Sequence, residues 1–215
     1  MPKAGVVGSG AVGEALADGF LKYGWQVMRG TREPAKLAAW KETRGAKASV
    51  GSFADAARFG DLVALAVKGS AAESALRLCG LGHLDGKTVI DATNPIADAP
   101  PENGVLRLFT THAESLMERL QRLAPKANLV KAFSCVGSAF MVDPDFGGAK
   151  PTMFTCGASA KAKEEVARVL AQFGWEWEDM GGVEAARAIE PLCMLWCLPG
   201  FLCGEWAHAF RLLKK

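Results

Sequence analysis

The sequence predicts an α/β fold: a Rossmann-type doubly wound, mostly parallel sheet with a short C-terminal helical extension. Three observations carry that expectation. Short apolar runs alternate with stretches of helical periodicity, the pattern of strands joined by crossover helices. The runs are apolar on both faces, as strands in the middle of a parallel sheet must be. A glycine-rich turn stands between the first run and the first helix, where this architecture places its phosphate loop.

The elements follow in order. Ala4–Val7 is the first strand, and Val12–Tyr23 carries Val12, Ala15, Leu16 and Phe20 at helical spacing. Trp25–Met28 reads as the second strand and Pro34–Arg44 as a helix with Pro34 in its first turn. Ala48–Val50 is a brief third strand, and Ser52–Phe59 a short helix capped by Ser52. Leu62–Val67 is the fourth strand, Ser70–Leu78 a helix, and Thr88–Asp91 a fifth strand running into Thr93-Asn94-Pro95. Asp98–Thr110 reads as a loop with a short element inside it, Ala113–Leu123 as a helix, and Leu129–Phe133 as the sixth strand. Asp143–Lys150 is a Gly-, Asp- and Pro-bearing surface loop, Thr152–Thr155 a seventh strand, Lys161–Phe173 an amphipathic helix and Trp175–Glu178 an edge strand. Glu184 to Leu213 reads as helical, broken at Pro199-Gly200. Residues 1–180 thus form one expected dinucleotide-binding domain and 181–215 a helical extension that covers a second ring or a subunit surface.

Composition narrows the function. Half of the 215 residues are hydrophobic and 22% are charged, as in soluble globular proteins. A net charge of +2 with scattered basic residues argues against a nucleic-acid partner. The apolar run Pro191–Gly204 falls short of the roughly 20 residues that span a bilayer, so no membrane partner is expected. The apolar N-terminal start is interrupted by Gly8, Ser9, Gly10, Glu14 and Asp18, unlike a signal peptide. Six cysteines without a Cys-x-x-Cys pair suit a reducing cytoplasm. Cys193, Cys197 and His208 lie among Leu, Met and Trp and read as core rather than as metal ligands, and Cys135 reads as a small apolar lining residue.

Gly8-Ser9-Gly10-Ala11-Val12-Gly13 matches G-x-G-x-x-G. Gly8 permits the tight turn, Gly10 lets a pyrophosphate approach the backbone, and Gly13 lets the helix pack on the sheet. The helix N-terminus adds unpaired amides and partial positive charge. An NAD-specific member of the fold carries an acid near the end of the second strand. Here that region reads Met28-Arg29-Gly30-Thr31-Arg32, with no carboxylate before Glu33. Thr31, Arg32 and Lys36 are therefore candidates for a 2′-phosphate, and NADP(H) is the expected cofactor. After the fourth, fifth and sixth strands, Val67, Lys68, Asn94, Pro95 and Ser134 are candidate lining for ribose and nicotinamide.

With these pieces the chain resembles the F420-dependent NADP oxidoreductase family. The likeness rests on Gly8–Gly13, on Gly30-Thr31-Arg32 with Lys36, on Ala64–Val67, on Val89–Pro95 and on Val130–Ser134. The wider group includes the cytoplasmic oxidoreductase domain of certain membrane metalloreductases. The resemblance implies hydride exchange between NADPH and a second flat ring, coenzyme F420 or a flavin, held face to face so that proximity supplies much of the acceleration. None of His83, His112 and His208 lies in an acid–base motif, so no catalytic side chain and no metal ligand are expected. Two alternatives stay open: an NADPH reductase of a small imine, ketone or quinone, and a non-catalytic NADPH-binding redox sensor. The expected partners are a small redox substrate and a second copy of the chain in a homodimer.

Overall fold

A computed structural model describes Met1–Lys215. Six apolar runs form strands: β1 (Lys3–Val7), β2 (Gln26–Gly30), β3 (Ala48–Gly51), β4 (Leu62–Leu65), β5 (Thr88–Asp91) and β6 (Asn128–Lys131). All pair in parallel, in the order β3-β2-β1-β4-β5-β6. The chain direction across the sheet reverses between β1 and β4, which makes their carboxyl ends the topological switch point of a Rossmann fold. β4 and β5 are buried along their whole length, which requires helices on both faces.

Helices α1 (Ala11–Lys22) and α2 (Ala38–Arg44) lie on one face with α6 (Ala160–Gln172). Leu16 and Phe20 of α1 pack there with Val166 and Leu170 of α6, and Phe20 meets Phe173 at 5.2 Å between ring centroids. The other face holds α3 (Phe53–Phe59), α4 (Ala72–Cys79) and α5 (Leu116–Leu123), with α7 (Ala186–Ile189) beside them. Each fully buried Leu or Phe contributes about 1.5–3 kcal/mol, so two such cores fix the layer order. α3 and α5 both begin with reciprocal capping boxes, Ser52 with Asp55 and Ser115 with Glu118.

The structure differs from the sequence reading at several ends. The helix expected from Ala113 begins at Leu116, because Ser115 and Glu118 close the box there. Pro34 and Gly69 open short 3-10 turns before α2 and α4 rather than α-helix. The expected edge strand is β8 (Glu176–Asp179), but it pairs only with β7 (Thr152–Thr155), in a separate two-stranded parallel sheet. A single bridge, Lys131 with Cys156, joins that pair to the main sheet.

The last helical segment also differs. α8 (Leu192–Cys203) runs unbroken through Pro199, and the interruption lies earlier, between α7 and α8. Proline removes one donor, which would have bonded Leu195 on the exposed side of the helix. Gly204, at φ 74°, ends α8, and the residues to Lys215 are not helical. Trp206 folds back on the helix so closely that a Cβ on Gly200 would lie 2.4 Å from its ring. The tail then bonds to Thr152 at the start of β7. Val183–Cys203 has the length and apolarity of a bilayer-crossing helix, more than the run read from sequence, and a third of its apolar window is buried in the fold.

Candidate active site: a dinucleotide cleft at the switch point

The chain leaves β1 at Gly8 with φ +146°, and its amide donates to Gly30 O at 3.0 Å. A Cβ at Gly8 would lie 2.1 Å from Ala66 O, and one at Gly13 would lie 2.5 Å from Gly8 O. Both glycines are demanded by the protein's own backbone. Gly10 is different: its φ is −81°, and a Cβ there would meet nothing within 4 Å. Neither conformation nor internal packing requires glycine at Gly10, whereas a group seated against the turn would. Gly10 is also the N-cap of α1, which has no side-chain cap, so its first amides stay available. Ser9 and Ala11 are exposed beside it, while Val12 packs partly into the core.

Gly8, Ser9, Gly10, Thr31, Arg32, Lys36, Val67 and Lys68 all line one cleft of about 240 Å³ at the ends of β1, β2 and β4. Thr31 is buried at its base and accepts a hydrogen bond from Glu33 N at 3.2 Å, which leaves its hydroxyl proton free to donate. Glu33 enters the same cleft, but Lys36 Nζ donates to its carboxylate at 2.9 Å and holds that acid below its usual range. Arg32 is exposed and forms no ion pair. Lys68 pairs with Asp98, which lies outside the cleft lining.

Arg29 is a residue that the sequence left without a role. It lies on β2 beneath the turn, fully buried, with Nη2 donating to Gly10 O at 3.3 Å and Nη1 at 3.5 Å from Glu14 Oε2. Its guanidinium lies over the Trp40 ring at 4.8 Å. Burial pulls its pKa down and Glu14 and Asp18 oppose this, so a cation persists behind the phosphate turn. The signal in the sequence was an arginine inside an otherwise apolar strand, which must find partners.

Asn94, Pro95 and Ser134, which the sequence placed with the cleft residues, do not line that cleft; they lie beyond the ends of β5 and β6. Asn94 Nδ2 donates to Ser134 O at 2.6 Å, while Asn94 Oδ1 and Ser134 Oγ are shut from solvent with no hydrogen-bond partner. Buried polar atoms are nearly always paired, so these two mark a place where a partner is missing. Gly69 packs against Asn94 O so closely that a Cβ on it would lie 1.9 Å from that oxygen. Pro95 is buried, and its carbonyl anchors the 96–108 excursion through Phe109 N. Phe133 adopts φ +61°, costly for an aromatic residue, and turns the chain so that its ring stays in the core while Ser134 and Cys135 follow.

Below them lies a buried ion cluster. Lys131 Nζ sits 2.7 Å from Asp91 Oδ2, 2.9 Å from Glu190 Oε1 and 2.9 Å from Thr93 O, with all three charged side chains buried. Burial opposes the Lys131 charge, but Asp91 and Glu190 outweigh it and raise its pKa. Asp91 Oδ1 accepts from Thr93 N and Thr93 Oγ1. Glu190 accepts from Leu116 N and Met117 N at 2.9 Å each, capping α5 from the junction of α7 and α8.

Of the three histidines, His112 lines a separate cavity of about 200 Å³ with Ser115, Arg187 and Glu190, apart from the dinucleotide cleft. His83 bonds Cys79 O, and His208 exchanges bonds with Trp196. Burial pushes the Cys135 and Cys193 thiols up to about 12, which suits packing and not nucleophilic chemistry. No group of three or more potential metal-ligating side chains is present.

Known proteins sharpen this picture. Residues 3–95 match the family model described as NADP oxidoreductase, coenzyme F420-dependent. A solved chain from Arthrobacter sp. FB24, provisionally described as an F420-dependent NADP-reductase, is 30% identical, with a TM-score of 0.91 and 100% of both chains covered. The chain belongs to the F420-dependent NADP oxidoreductase family. It is an NADP-dependent oxidoreductase. The rat metalloreductase STEAP3 is 30% identical over 207 residues, covering 94% of this chain, which spans 39% of that protein. An imine reductase from Myxococcus stipitatus shares the fold, with 19% identity, a TM-score of 0.68 and coverage of 95% of this chain and 63% of that one. The residues present fit the dinucleotide that the family name implies: the space over Gly10 and the unpaired Arg32 lie in the cleft beyond β1, β2 and β4, and the orphaned Asn94 and Ser134 atoms lie beyond β5 and β6.

Proposed function

We propose that this chain transfers hydride between NADP(H) and a flat-ring acceptor of the deazaflavin or flavin type. The observation that carries the cofactor assignment is the corner formed by Thr31, Arg32 and Lys36, where the only acid, Glu33, is neutralised by Lys36. In this reading the Gly8–Gly13 turn and the amides of α1 hold the pyrophosphate. Thr31, Arg32 and Lys36 hold the 2′-phosphate, with Lys36 exchanging Glu33 for it. Val67 and Lys68 flank the ribose side, and Asn94, Pro95 and Ser134 receive the nicotinamide half. Asn94 Oδ1 and Ser134 Oγ are covered, so engaging them requires their covering residues to give way.

When bound, NADPH supplies the hydride. The chain's residues bind, orient and exclude water; the acceptor takes the hydride with a proton from solvent. A ring acceptor suits a cleft whose lining contains no histidine, because two stacked rings need orientation more than a protein acid. The full-length similarity to the Arthrobacter chain supports the same acceptor class. Residues 1–180 would carry the cofactor and 181–215 close over its reactive end. A cytoplasmic homodimer joined through the exposed Leu195, Phe201 and Leu202 side of α8 completes the proposal.

The test is a panel of acceptors mixed with NADPH, reading the absorbance of reduced nicotinamide. Oxidation by a deazaflavin or flavin supports the proposal. Turnover only with small imines, ketones or quinones, or tight binding without any turnover, would overturn it.

A further inference from the structure

We infer that Glu190 and Lys131 are positioning residues for the nicotinamide half, coupling the C-terminal helical segment to Asn94. The inference rests on the proposed placement of NADP(H), and it concerns residues that do not touch the cleft.

The contacts form a continuous chain. Glu190 lies at the junction of α7 and α8, and its carboxylate meets Lys131 Nζ at 2.9 Å. Lys131 donates to Thr93 O at 2.9 Å, and Asp91 grips the amide and hydroxyl of the same Thr93. Thr93 is thereby held at both its amide and its carbonyl. Asn94, the next residue, is held by Gly69 against its carbonyl and by Ser134 O at its amide nitrogen. Only its Oδ1 is left without a partner. An interior ammonium that donates to one carbonyl and faces two carboxylates within 2.9 Å is a rigid joint, since losing either carboxylate leaves a buried charge less compensated.

The same Glu190 caps α5, and α8 leaves directly from it toward Trp196. Trp196 presses on Gly137, where a Cβ would lie 2.8 Å from its ring. The C-terminal segment therefore meets β6 and the loop after it at two points, Glu190 at Lys131 and Trp196 at Gly137. Glu190 makes the first of these contacts and no contact at the phosphate end.

The experiment compares two ligands by calorimetric titration. NADPH reaches both halves of the proposed site, whereas 2′,5′-ADP carries the phosphates and lacks nicotinamide. Glu190→Gln keeps an acceptor oxygen for α5 and removes the carboxylate charge that faces Lys131. It should weaken NADPH about tenfold and leave 2′,5′-ADP within about twofold, and the Glu190→Gln/Asn94→Ala double variant should be no weaker than Asn94→Ala alone. Equal losses for the two ligands, or additive losses in the double variant, would overturn the inference. Should Glu190→Gln fail to fold, Asp91→Asn tests the other carboxylate with the same two criteria. Wild-type protein that binds neither ligand would instead overturn the cofactor assignment.

Discussion

The two halves of the proposed site are built from different materials. At β1 and β2 the site is backbone: a turn with φ +146° at Gly8, uncapped amides of α1 and an exposed Arg32. At β5 and β6 it is buried side chains: Asp91, Lys131, Glu190 and Asn94, drawn from separate elements. A backbone-built site can change its ligand-facing charges at little cost to the fold. A site built from buried ions cannot, because its parts hold the fold together as well.

That contrast is broken most forcefully at Lys131. Lys131→Met leaves Asp91 and Glu190 buried without a cation, and urea unfolding should show a loss of about 3–5 kcal/mol. A loss no larger than that of a surface substitution would mean that water reaches the cluster.

The glycines of the turn give the next largest effect. Gly8→Ala places a Cβ against Ala66 O at a positive φ and should destabilise the protein by about 2–4 kcal/mol. Gly10→Ala meets no protein atom, so its melting temperature should hold while NADPH binding falls more than about tenfold. Identical behaviour of the two variants in melting would show that Gly10 serves packing rather than a ligand.

A smaller effect separates two ion pairs of the β5–β6 half by pH. Glu118 is held at about 2, against an ordinary 4.5, chiefly by its hydrogen bond from Arg187 and despite partial burial. A depressed acid contributes stability above its unfolded value and loses it as pH falls through the folded one. The tie between α5 and α7 should therefore weaken from about pH 4.5 down toward 2, and Arg187→Ala should flatten that part of the unfolding profile. Lys131, raised above 10.5, follows the opposite rule: its own charge stays in place below that value and is lost only at higher pH. Hydrogen exchange that opens β6 before the start of α5 in acid would contradict this order.

The same contrast explains what the sequence made legible. The strand-turn-helix of Ala4–Val12 and the run Thr31–Lys36 each express their chemistry within a few residues, and Gly8, Gly10, Thr31, Arg32 and Lys36 do line one cleft. The ion cluster is invisible to local patterns because Asp91, Lys131 and Glu190 come from β5, β6 and the α7–α8 junction and meet only in the folded chain. In the sequence Glu190 reads as the polar boundary of an apolar run and Lys131 as one basic residue in a strand. Arg29 was hidden for the same reason, since its partners Gly10, Glu14 and Trp40 come from two helices. The end of α8 was misjudged because Pro199-Gly200 looks like a break, whereas glycine is needed there for Trp206 to fold back.

The central claim is that a guanidinium at the end of β2 selects the phosphorylated cofactor. Titrating wild-type and Arg32→Ala protein with NADPH and with NADH tests it most directly. NADPH affinity should fall more than about tenfold in the variant while NADH affinity barely changes, as expected for a charge-assisted bond to a phosphate that only one ligand carries. Equal losses for both ligands, or none for NADPH, would contradict the account.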